Sequence, residues 1–120
     1  MNKRQHQRVP FSGKAKLVAE KAEVDVTISN LSLGGLLFHT SSDFDLGKEV
    51  IIHISGTFRR KTFNERVIGR IVASHRGPVG NSFGIRFLSY LNPEREPTLH
   101  SWVESHQDNP SPSFLRNSRE

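Results

Sequence analysis

At 120 residues, with 34% hydrophobic residues and eight phenylalanines, the chain has material for one modest core and not for two. Seventeen Lys and Arg against twelve Asp and Glu give a formal charge of +5, which favours an anionic partner without separating a small nucleotide from DNA, RNA or a membrane surface. Without cysteine, disulfides and thiolate metal sites are excluded, and no apolar run suits a signal peptide or a membrane span, so a cytoplasmic protein with no membrane insertion is expected.

Residues 1–12 read as a flexible basic arm: "KRQHQR" is polar and charged, and Pro10 biases Val9 toward an extended conformation. From Gly13 the apolar residues recur with period two. "KAKLVAE" is followed, across a short hairpin connection, by "EVDVTIS", which sets Val24, Val26 and Ile28 on one face. "NLSLGG" interrupts the alternation and "LLFHT" resumes it, before the loop "SSDFDLGK". "EVIIHIS" then places Val50, Ile52 and Ile54 on one side. "FNERVIGRIVAS" and "NSFGIRFLSY" are two longer strands joined by the turn "HRGPVG".

One stretch favours a helix. "NPEREPTLHSWVESH" has Asn92 as a cap candidate with Pro93 after it, although Pro97 moves the start to Glu96 or later, with Leu99, Trp102 and Val103 turned inward. The Pro- and Ser-rich residues 108–120 are expected to be a disordered tail. Six short strands and one late helix predict an all-β fold over residues 13–107, an antiparallel barrel or tightly rolled sheet with a helical appendage.

Two short stretches carry chemistry. Arg4 and Arg8 lie four apart, and a guanidinium pairs bidentately with phosphate and stacks on a base, although a charge run by itself is usually a solvated tail. At Asn30 to Gly35, an amide, a hydroxyl and glycines at a strand end expose hydrogen-bonding groups and permit close approach; alone, these are ordinary turn residues.

Taken together, Arg-x-x-x-Arg at 4 and 8 and Asn-x-Ser-x-x-Gly at 30, 32 and 35 resemble the PilZ domain family of bacterial cyclic di-GMP receptors. "RVPF", "ISNLSLGGLLF", "VIGRIV" and "GIRF" extend the resemblance over roughly residues 3 to 105. The resemblance implies a six-stranded antiparallel PilZ-type β-barrel with a C-terminal helix. It also implies that Arg4 and Arg8 grip the phosphates and guanines of cyclic di-GMP. Asn30, at a position the family fills with Asp or Asn, would read a guanine edge, with Ser32 and Gly35 lining the same surface. Lys3 is a further phosphate contact that would help hold a stacked ligand pair. Arg86, in "GIRF", could line the ligand surface near the barrel rim, but an ordinary outward strand arginine is the favoured expectation.

The function so implied is that of a receptor without catalytic residues, metal or resident cofactor, which orders its arm on ligand binding and signals to an unidentified protein partner. The six histidines lack metal-ligand spacing, and Ser32 is not in a Gly-x-Ser-x-Gly elbow, so an enzyme is not expected. Two alternatives stay open. Basic clusters at 3–8 and 59–61, with Phe58 and Phe63 nearby, would suit a barrel binding RNA or single-stranded DNA. A PilZ-fold interaction module that binds no ligand is the other.

Overall fold

The period-two alternation becomes six antiparallel strands: β1 (Val9–Ala19), β2 (Ala22–Leu31), β3 (Gly35–Thr40), β4 (Glu49–Phe58), β5 (Lys61–Gly77) and β6 (Gly80–Phe87). One helix follows, α1 (Pro97–His106). The computed structural model describes residues 7–107. Lys3, Arg4 and the rest of segment 1–6, with the tail at 108–120, lie outside the described residues.

The strands close in the order β1-β2-β3-β6-β5-β4. Closure leaves no long open edge and sends alternate side chains inside. Leu17, Ile28, Leu31, Phe38, Ile52, Ile54, Ile71 and Phe83 fill that interior at 0% exposure. With the interior filled by side chains, a ligand of nucleotide size has to sit on the outer face.

The predicted boundary between arm and barrel at 12/13 moves toward the N-terminus. Val9 pairs with Leu31 and Pro10 with Asn30, and a register shift between Pro10 and Gly13 absorbs the irregularity. Val9 and Phe11 are both buried, so the alternation that binds a strand to the core already holds there. Pro10 is tolerated because the start of β1 lies beyond its ladder with β4, which runs only over Ala15 to Val18.

Helix α1 covers this beginning of β1, which is paired with β2 but lies beyond the ladder with β4. Leu99 and Val103 are fully buried, and Trp102 packs against Phe11 and Phe58 with ring centroids 5.2 Å away in each case. Pro97 occupies the first turn, where its missing N–H costs nothing. The next two amides, Thr98 N and Leu99 N, donate to the Glu65 carboxylate of β5 at 2.8 and 2.9 Å. A strand residue thus does the work of an N-cap. Asn92 caps an earlier turn instead, accepting from Glu94 N and Arg95 N.

Candidate functional site

The Asn30–Gly35 segment ends β2, turns, and starts β3. A register shift between Ile28 and Asn30 puts an irregularity just before the turn, a place where bulges commonly re-aim a side chain. Asn30 is half-buried, and its Oδ1 is enclosed with no hydrogen-bond partner among the described residues. An enclosed acceptor without a donor is uncommon, and a ligand N–H or an ordered water would satisfy it.

Ser32 is buried at 7% exposure. Its hydroxyl accepts from Gly34 N at 3.2 Å and Gly35 N at 3.1 Å, while Ser32 N donates to Gly35 O at 2.8 Å. The serine therefore shapes the turn through its own hydroxyl. The turn is tied to the rest of the barrel by Phe87 N donating to Gly34 O and Leu91 N to Leu33 O, both at 2.8 Å. A side chain at Gly35 would collide with the Ile85 carbonyl of the adjacent β6, so glycine is required there by close strand approach.

Val9 points inward, so Arg8, its exposed neighbour, emerges on the outer face. Continuing the pairing of Val9 with Leu31 and Pro10 with Asn30 sets Arg8 alongside the Asn30–Ser32 stretch. No carboxylate pairs with Arg8 among the described residues. The structure thus brings Arg8, Asn30, Ser32 and Gly35 to one rim of the barrel; Arg4 and Lys3 fall outside the described residues.

Arg86 belongs to the same neighbourhood, being the direct partner of Gly35 in the β3–β6 ladder. In the sequence it is one arginine in "GIRF", and only the pairing of strands some fifty residues apart reveals its neighbour. Glu65 was similarly invisible as a helix anchor, since it carries no local motif, whereas Trp102 was expected to turn inward and packs against the core.

The two phenylalanines proposed for a nucleic-acid groove are otherwise engaged. Arg59 and Arg60 form the tight β4–β5 turn, both with positive φ, and the Arg59 guanidinium lies 4.8 Å from the Phe58 ring centroid. Phe58 packs on Trp102, and Phe63 packs against the core. Neither phenylalanine offers a free stacking platform. Among the described residues no three His, Asp or Glu side chains gather as a metal site, and no helix is long and apolar enough to cross a membrane.

Comparison with known proteins places this geometry. The family model for the PilZ domain matches residues 2–105. By sequence, no curated protein matches the chain. By structure, the chain is similar to the Bacillus subtilis inhibitor of motility MotI/DgrA (TM-score 0.72, 14% identity), covering 88% of this chain and 52% of that one. It therefore spans about half the length of that protein. It is also similar to the PilZ domain of YcgR from Escherichia coli with c-di-GMP (TM-score 0.64, 14% identity, 88% and 92% covered). A third likeness is to the Borreliella burgdorferi PlzA protein in complex with c-di-GMP (TM-score 0.60, 22% identity, 85% and 41% covered).

Proposed function

Because the chain belongs to the PilZ domain family, we propose that it is a receptor for cyclic di-GMP, a binding module and not an enzyme. The ligand lies on the outer face of the barrel, between the arm bearing Arg4 and Arg8 and the turn from Asn30 to Gly35. The observation that carries this reading is the enclosed, unpartnered Oδ1 of Asn30 beside the exposed Arg8. Guanine presents N–H donors on one edge, and the amide oxygen accepts from them. Two structures of similar fold, the PilZ domain of YcgR and PlzA, hold c-di-GMP, which supports the ligand class.

Each group has a distinct task. Arg4 and Arg8 supply planar forks for phosphate and flat faces for guanine. Ser32 and Gly35 keep the turn shallow and close to β6, so the ligand can approach the backbone. Lys3 adds charge where a second stacked ligand would sit. Binding energy offsets the entropy of ordering the arm, and a protein partner reads the changed surface. Neutral Asn30 offers a weaker acceptor than a carboxylate would, which lowers affinity without removing competence.

Calorimetric titration with cyclic di-GMP, beside GTP, cyclic GMP and single-stranded oligonucleotides, tests the reading. Binding of the cyclic dinucleotide alone is expected, and Arg8→Ala should cost at least about 2 kcal/mol of it. Salt-sensitive oligonucleotide binding with no heat from cyclic di-GMP would overturn the reading in favour of a nucleic-acid binder. Normal binding by both Arg4→Ala and Arg8→Ala would reduce the arm to a tail.

A further inference from the structure

Arg86 and Arg70 are direct partners in the β5–β6 ladder, and both are exposed on the outer face. Like charges directly opposite one another destabilise a sheet. One carboxylate serves the pair: Glu49, partner of Arg70 in the β4–β5 ladder, approaches Arg70 Nη2 at 3.7 Å. Arg86 has no ion pair or hydrogen bond from its side chain among the described residues. Its other neighbour, Gly35, has no side chain to cover it.

The register sets these residues in one row around the rim. Extending the β1–β2 ladder aligns Arg8 with Ser32, Ser32 N bonds Gly35 O across the turn, and Gly35 pairs with Arg86. Arg8 and Arg86 thus flank the turn that carries Asn30, separated by about three strand spacings, or roughly 14 Å along the sheet. Arg8 comes from the end of the arm, whereas Arg86 is held near the end of β6, in a strand paired on both sides.

We propose that Arg86 is the barrel's own phosphate-binding residue, taking one phosphate of the ligand from the side of the site opposite Arg8; this rests on the cyclic di-GMP reading above. An anion there gains a guanidinium with no competing carboxylate and relieves the opposition between Arg86 and Arg70. A phosphodiester satisfies both requirements, because it keeps its negative charge at neutral pH and accepts a two-pronged hydrogen bond.

The test is calorimetry with cyclic di-GMP on the full chain and three variants, Arg86→Ala, Arg86→Lys and Arg66→Ala. Arg66 is an exposed arginine of β5 outside this row and controls for net charge. Arg86→Ala is expected to weaken binding at least about tenfold, and Arg66→Ala to change it by less than about twofold. Arg86→Lys should recover most of the loss, because a lysine binds phosphate as a point charge. The ligand-free melting temperature of Arg86→Ala should be no lower than that of the wild type, since the opposition to Arg70 is gone.

Wild-type affinity in Arg86→Ala would overturn the proposal while leaving the receptor reading intact. A lysine variant as weak as the alanine variant would overturn the phosphate assignment, because an ammonium still attracts a phosphate as a point charge but can neither fork onto nor stack on a base. No binding by the wild type would instead sink the receptor reading itself.

Discussion

Trp102 Nε1 donates to the carbonyl oxygen of Pro10 at 3.0 Å, fastening the C-terminal helix to the start of β1 just after Arg8. The indole also meets Phe11 edge-on at 5.2 Å and stacks on His106 at 4.3 Å. The helix is therefore in direct contact with the segment that carries the arm, and any displacement of Pro10 is felt at Trp102. Trp102→Phe keeps an aromatic ring against Phe11 and Phe58 but removes the donor. It is expected to lower stability by about 1–2 kcal/mol, read as a shift in the urea midpoint at unchanged slope. An unchanged midpoint would mean that the bond to Pro10 contributes nothing.

Glu65, from a distant strand, accepts from both Thr98 N and Leu99 N at the N-terminal end of α1. Glu65→Ala leaves two amides at the helix start without their acceptor and should cost about 1–2 kcal/mol, with loss of helical ellipticity before the sheet melts. Glu65→Gln keeps an acceptor and loses the charge at the positive end of the dipole, so an intermediate loss is expected. If the two variants unfold like the wild type, solvent caps this helix as well as the carboxylate does.

Substitution of Asn30 is expected to separate ligand binding from folding. Its Oδ1 is enclosed and unpaired, so Asn30→Ala removes an unsatisfied group and is expected to leave the ligand-free melting temperature unchanged or raised. The same variant should weaken cyclic di-GMP binding about tenfold, and Asn30→Asp should tighten it, because a carboxylate accepts more strongly from guanine N–H groups. A large drop in ligand-free stability on Asn30→Ala would show that the amide is structural.

Acid should loosen the loop between β3 and β4. Arg76 Nε donates to Asp43 Oδ1 at 2.7 Å, and its Nη2 donates to Phe44 O at 3.0 Å. The hydrogen bond from Arg76 holds the Asp43 carboxyl below its ordinary value of 3.8. A depressed folded-state value stabilises the native protein above the unfolded-state value and loses that contribution as pH falls through the folded one. The difference in melting temperature between the wild type and Asp43→Asn is therefore expected to be largest near neutral pH and to shrink below about pH 4. A difference that stays constant into acid would assign the effect to packing of the loop.

The alternation at Val24, Val26 and Ile28 and at Val50, Ile52 and Ile54 was legible because side-chain direction in a strand follows from period two alone. The motif residues were legible for a different reason: Arg8, Asn30, Ser32 and Gly35 sit at recognisable spacing in the chain. Their tasks were less so. Ser32 was expected to line the binding surface, yet its hydroxyl is engaged by Gly34 N and Gly35 N. A serine's partners in a tight turn depend on how the backbone folds around it, and its position in a motif does not disclose them.

By itself the sequence determined which residues face the core, where the chain turns and where proline sets the start of the helix, because these depend on neighbours within a few positions. Only the tertiary structure decided what those elements meet. The closing of β1 on β4, the start of β1 at Val9, the capping of α1 by Glu65 and the row running from Arg8 past Gly35 to Arg86 all depend on register between strands far apart in the chain. Register is set by how two buried faces pack together, and a shift of one residue would turn every one of these side chains to the other side of the sheet.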